Sequence, residues 1–171
     1  DPGVFMPNAG GTGYYRFERP AAEWDRLIAG SASLPAGEAL ALADSLRASF
    51  MAGRAHAAQL AELARVMVAN PDSHASDTAL AGLEMLDAAG MLNTAASDAY
   101  HRFVTALYRP QLALFGFDPR ANAYPGEAAE RSQRRVQLIA KLSPPARDAS
   151  DRQQLGDATT AWLGGNTTLL D

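Results

Sequence analysis

Residues 60–68 read LAELARVMV, which places Leu60, Leu63, Ala64, Met67 and Val68 at the i, i+3, i+4, i+7 and i+8 positions of one helical face. That spacing predicts an amphipathic helix with one side in a core and the other in water. It ends at Asn70-Pro71, because proline cannot supply the next helical amide.

The same period extends outward on both sides. Toward the N-terminus, residues 36–52 align Ala39, Leu42, Ala43, Leu46 and Phe50, with Pro35 suited to the first turn and Gly53 to the end. Before that, residues 21–29 carry Trp24, Leu27 and Ile28 and stop at Gly30. Toward the C-terminus, Ser73 or Ser76 can cap a helix bearing Leu80, Leu83 and Leu86, closed by Gly90. Tyr100, Phe103, Val104, Leu107 and Tyr108 form a fifth stripe, and Pro110 is expected to bend that helix or start a new one. A sixth puts Ala129, Ser132, Val136 and Ile139 on one side, with Arg131, Arg134 and Arg135 largely on others, and ends at Pro144-Pro145. A seventh, over 148–163, aligns Leu155, Ala158, Thr159 and Trp162 before Gly164-Gly165. The closing NTTLLD resembles the capped start of another helix.

Short connections make successive antiparallel helices the expected packing. Segment pairs recur at about 35 to 45 residues, the period of HEAT- or armadillo-like repeats. The expected fold class is therefore mainly α, with antiparallel helix pairs stacked as a HEAT/armadillo-like α-solenoid; a closed bundle is the rival.

Composition excludes several functions. The 171 residues are 47% hydrophobic and 20% charged, ordinary values for a soluble globular chain. A net charge of -4 with interleaved signs offers no basic stripe to nucleic acid. The absence of cysteine removes disulfides, thiolate metal sites and cysteine nucleophiles. No stretch is apolar enough for a membrane span. Fourteen of the 15 basic residues are arginine, a bias that reads as the mark of a GC-rich genome ahead of a surface built to grip anions. The expected location is the bacterial cytoplasm or periplasm, with the compartment open. A chain that opens DPGVFMPN, without an initiator Met at its first position, reads as a piece of a longer protein.

Residues 8–17, NAGGTGYYRF, raise a separate question. A phosphate loop needs its glycines between a strand and a helix start, with a GK[ST] end or a spaced acidic ribose partner. Neither follows here. Val4-Phe5-Met6 before and Tyr14 to Phe17 after instead flank a turn-forming Asn8 to Gly13, which predicts a short β hairpin or strand segment. In a strand Tyr14 and Tyr15 point to opposite sides. Arg16 then shares Tyr14's side, where it can bond the first helix or a peptide carboxylate.

Asn8, Gly13, Tyr14, Tyr15 and Arg16, with Trp24 and Leu27 downstream, resemble the N-x-x-x-x-G-Y-Y-R stretch of aminopeptidase N-type zinc metallopeptidases of the gluzincin family. In that family the stretch joins a small β-sandwich to the C-terminal helical domain. The segment LPAGEALALADSLRASFMAGR (34–54), with acidic Asp44, is similar to the family's leading helix and closing Ala-Gly. YRPQLALFGFDP and GEAAERSQRRVQLIAKL are similar to a later helix, turn and arginine-bearing helix. Departures are Phe17 and Glu18-Arg19-Pro20 where many relatives carry Val and a tyrosine, and Ser73-His74-Ala75-Ser76 where many carry tryptophan. They leave subfamily and substrate preference open.

The resemblance implies that residues 1–19 are a β-strand segment ending a truncated β-sandwich, and that residues 20–171 are a helical-repeat domain truncated at its C-terminus. It implies a parent enzyme that removes N-terminal residues from peptides with zinc held by H-E-x-x-H and a downstream glutamate. This chain has no such motif: His56, His74 and His101 include no i, i+4 pair, and GLEML (82–86) is a superficial echo of the family's G-x-M-E-N strand. No catalytic, cofactor-binding or metal residue is expected in this part, zinc being implied for the parent alone. The motif residues Asn8, Gly13, Tyr14, Tyr15, Arg16 and Trp24 are expected to be structural.

Asp98 and His101 read as a surface i, i+3 contact ahead of an acid–base pair, and Asp72, His74 and Asp77 as helix-start residues ahead of a metal cluster. Ser45 and Ser49 read as interface or surface residues, since no histidine stands at a fixed spacing to activate them. The expected role is to cap the active-site cavity and limit substrate access. The expected partners are the catalytic and β-sandwich domains of the same chain and the parent's peptide substrates. The alternative is a free-standing helical-repeat scaffold that binds another protein.

Overall fold

The computed structural model describes residues 6–70, 74–143 and 149–166. Among them are seven α-helices: α1 (Ala21–Ala29), α2 (Ala36–Met51), α3 (Ala57–Met67), α4 (His74–Ala88), α5 (Thr94–Phe115), α6 (Ala129–Leu142) and α7 (Ala149–Leu163). They fall into two compact units, Asp1–Leu92 and Asn93–Asp171. No helix among the described residues is long and apolar enough to cross a membrane.

In the first unit α1 packs on α3, α2 packs on α3 and α4, and α3 packs on α4. The stripe that predicts α3 is its buried face: Leu60, Leu63, Ala64 and Met67 are fully buried. Leu42 and Leu46 of α2, Leu80 of α4, and Trp24 and Ile28 of α1 complete the large buried side chains. Each contributes roughly 1.5–3 kcal/mol by leaving water.

Two buried polar side chains fix helices to each other. Gln59 Nε2 donates to the Ala21 carbonyl at 3.0 Å and to Asp25 Oδ1 at 2.7 Å, which ties α3 to the start of α1. Its Oε1 accepts from the His56 amide at 3.0 Å, so one side chain both caps α3 and joins two helices. Ser76 was expected as a cap but lies inside α4, where its buried Oγ donates to the Ala64 carbonyl of α3 at 3.2 Å. The other expected cap, Ser73, lies outside the described residues.

In the second unit α5 packs on α6. The expectation that Pro110 would bend or divide α5 is not met in its second form, because the helix runs unbroken from Thr94 to Phe115. Buried Val104, Leu107, Tyr108 and Leu112 bracket the proline, so packing on both sides overrides its local penalty. In α6 the side that carries Ala129, Ser132, Val136 and Ile139 is not the buried one. Arg135, Leu138 and Leu142 are buried, whereas Val136 is 62% exposed. Arg135 is drawn inward by a carboxylate and by the carbonyls at the end of α5, described below. In α7 Ala158 is buried and Trp162 is largely exposed.

No strand forms among the described residues, so over residues 6–19 the expected β hairpin is replaced by a turn and a segment without regular structure. Val4 and Phe5, half of the expected pairing, lie outside the described residues, as does most of NTTLLD.

Candidate functional site

Asn8 is buried, and its side chain closes the glycine turn from both directions. Oδ1 accepts from the Gly13 amide at 2.9 Å, and Nδ2 donates to the Gly13 carbonyl at 3.0 Å. An amide side chain thus does what a strand ladder would have done. Gly13 is confined by this arrangement, since a Cβ there would lie 2.4 Å from the Tyr15 ring.

The rest of the turn lies backbone to backbone on the first turn of α2. Gly11 has φ +66°, and a Cβ on it would come within 2.3 Å of the Gly37 backbone. The neighbouring Gly10 amide donates to Glu38 Oε1 at 2.7 Å. The glycines therefore permit close approach to a helix, which answers why the run is present without a phosphate loop.

Beyond the turn, each residue of the motif has a different position. Tyr14 is fully exposed. Tyr15 is half-exposed and its hydroxyl donates to the Pro7 carbonyl. Arg16 bonds α2 rather than the first helix: its Nε lies 2.6 Å from Asp44 Oδ2 and its Nη2 3.3 Å from Oδ1. Arg47 Nη2 reaches the same carboxylate at 2.9 Å. The Phe17 ring stacks on Trp24 with centroids 5.4 Å apart, and the Phe17 amide points to Ser45 Oγ at 3.4 Å. Trp24 is fully buried, and its indole N–H has no hydrogen-bond partner among the described residues. Glu18 pairs with Arg54. Residues 8–18 are thus fastened along the first unit from the start of α2 to just past its end.

Partial burial alone would raise the Asp44 carboxyl, but hydrogen bonds and positive charge from Arg16 and Arg47 reverse this and hold it below its ordinary value. The turn, Arg16, Asp44 and Arg47 line an open groove of about 840 Å³, bounded across by Thr78 and Ala81 of α4. The groove can offer arginine donors and aromatic surface to a ligand.

The other sequence candidates do not join it into a catalytic set. Among the described residues no three His, Asp or Glu side chains gather as a metal site. His56 precedes α3, His74 and Asp77 lie in the first turn of α4, and Asp72 lies outside the described residues. Asp98 is exposed on α5, and His101 Nε2 stands 3.5 Å from Ser97 Oγ. Ser45 and Ser49 are buried. GLEML lies in α4, where Gly82 accommodates the Phe50 ring and the stem of Arg47.

Arg47 lies outside the GYYR motif, and its i, i+3 spacing from Asp44 is the one sequence signal for the helical ion pair it makes. Arg131 and Arg135, set by periodicity on other sides of α6, close the end of α5 instead. Arg135 pairs through Nη1 and Nη2 with Glu127, donates to the Phe115 and Gly116 carbonyls at 3.1 Å, and lies 3.4 Å over the Tyr124 ring. Arg131 donates to the Leu114 carbonyl at 2.8 Å and lies over Phe115. Hydrogen bonding to Arg135 is the main cause holding the Glu127 carboxyl below its ordinary range.

No curated protein and no solved structure matches the chain. Residues 4–171 match the family described as the ERAP1-like C-terminal domain, in keeping with the resemblance carried by the GYYR stretch to the C-terminal helical domain of aminopeptidase N-type enzymes. With nearly every residue inside that match, the chain belongs to the ERAP1-like C-terminal domain family.

Proposed function

We propose that this chain is the non-catalytic helical domain of a zinc aminopeptidase, which covers the active-site cavity and restricts the substrates that enter. The observation that carries this reading is the family match over residues 4–171. The packing of α1 on α3 and of α2 on α4 supports reading the helices as a HEAT-like stack. On the same reading, residues 6–19, which form no strand, lead from a preceding β-sandwich into the helices. Their side-chain bonds to α2 would hold the helical wall at a defined angle to the domains before it.

The described residues do not fit a catalytic zinc, since no three suitable ligands meet. The metal and its activated water would belong to chain outside residues 1–171. Those catalytic and β-sandwich domains would be the partners of this one, and peptides the substrates of the whole.

Antibodies against this chain provide the test. In source cells they should detect a polypeptide much longer than 171 residues, and the immunoprecipitate should cleave amino-acid p-nitroanilides, lose activity to a zinc chelator and regain it with zinc. Within that protein, deleting the helical domain should extend cleavage from short peptides to the N-termini of folded proteins. A native product of this length, or an inactive immunoprecipitate, would overturn the reading.

A further inference from the structure

We propose that the groove between the glycine turn, α2 and α4 binds an extended acidic peptide segment, with a glutamate or aspartate side chain held by Arg16 and Arg47. The inference stands apart from the aminopeptidase reading, because it rests on the groove's own charge and shape.

Asp44 occupies one edge of each arginine: Nε and Nη2 of Arg16, and Nη2 of Arg47. Each arginine carries five N–H donors. The donors on Arg16 Nη1 and on Arg47 Nε and Nη1 have no partner among the described residues. Among the lining residues two cations face one anion, and the neighbouring Glu38 carboxylate is already engaged by the Gly10 amide. An arriving carboxylate would complete a second charge-assisted contact on the open side of the pair.

The arginines are also held in place before any ligand arrives. Arg16 is fixed by its two-point contact with Asp44. The stem of Arg47 lies against α4 at Gly82, where a Cβ would stand 3.6 Å from Arg47 Cγ. Little side-chain freedom then remains to be lost on binding. Tyr14, fully exposed at the groove edge, and half-exposed Leu40 supply apolar surface for the segment on either side of the acidic residue. An opening of about 840 Å³ is large enough for several residues of extended chain. A basic segment is disfavoured by the uncompensated charge, and nucleic acid by the chain's overall negative charge.

The test uses the isotopically labelled 171-residue chain and two blocked peptides, acetyl-AEEA-amide and acetyl-AQQA-amide. The glutamate peptide should shift the Arg16 and Arg47 Nε–H signals and the Gly11 and Gly13 amides saturably, more weakly as salt is raised. The glutamine peptide should bind about tenfold more weakly or not at all. Arg47→Gln should weaken the glutamate peptide by a similar factor while the amide spectrum of the rest of the first unit stays in place. Arg16→Lys should retain part of the affinity, since it keeps charge but loses the fork. Equal binding of the two peptides, shifts that map elsewhere, or full affinity in Arg47→Gln would overturn the proposal. So would inorganic phosphate competing as well as the glutamate peptide, which would mark a small-anion site.

Discussion

Arg16 and Asp44, 28 residues apart in sequence, meet edge to edge, with Nε 2.6 Å from Oδ2 and Nη2 3.3 Å from Oδ1. The contact converts an irregular segment into a strap along α2. Because the Asp44 carboxyl is depressed in the folded chain, its contribution is complete above the unfolded value near 3.8 and is lost as pH falls through the lower folded value. Asp44→Asn should lower stability by about 1 kcal/mol at neutral pH, a modest figure because solvent screens the exposed arginine. Thermal melts of both proteins should converge as pH falls below the unfolded value of 3.8 and through the lower folded one. A gap that stays constant with pH would mean that the ion pair contributes nothing.

Gly11 and Gly53 share positive φ but differ in surroundings. A Cβ on Gly11 meets the Gly37 backbone at 2.3 Å, whereas one on Gly53 meets nothing within 4 Å. Gly53→Ala should cost about 1 kcal/mol, the strain of the left-handed backbone alone. Gly11→Ala adds a backbone collision and should cost at least about 2 kcal/mol, or release the turn from α2. Denaturant titration measures the first outcome. Loss of amide protection at Gly10, whose proton is held by Glu38, reports the second. Equal costs at the two positions would refute the close approach.

Gln59 joins α1 to α3 through donors that no carboxylate could supply. Gln59→Glu removes both Nε2 protons and sets a second acid beside Asp25. It should destabilise the first unit by about 2 kcal/mol or more at pH 7. Gln59→Met, similar in length and apolar, should cost less, because it leaves no new charge inside. Hydrogen exchange should show the loss first at the amides of α1.

Helix positions were legible in this sequence because local signals agree with packing. In α3 the apolar period alone picks out the buried Leu60, Leu63, Ala64 and Met67. The anchoring of the N-terminal segment was not legible, because nothing in NAGGTGYYRF says that Asn8 will bond Gly13 or that Gly11 will rest on Gly37. The alternating aromatics of YYRF carry strand propensity, yet here Phe17 stacks on Trp24 and Arg16 reaches a helix. Those partners lie 7 and 28 residues away, beyond any periodic pattern. Of the candidate groove, the motif supplied Arg16 and its neighbours but neither Arg47 nor the α4 wall.

Arg135 and Val136 give the sharpest contrast between pattern and packing. Periodicity groups Val136 with Ala129, Ser132 and Ile139 and sets Arg135 on another side, while the folded chain buries Arg135 to 6% exposure and leaves Val136 62% exposed. The guanidinium satisfies the Phe115 and Gly116 carbonyls at the end of α5, groups that have no acceptor role inside their own helix. Removing it leaves those carbonyls and the Glu127 carboxylate short of donors. Arg135→Met should therefore cost about 3 kcal/mol, expressed as a lower melting temperature and faster exchange at the α5–α6 contact. Val136→Ser should change stability by less than about 0.5 kcal/mol, as surface substitutions do. The reverse order would restore the periodic reading of α6 and remove Arg135 as the group that closes α5.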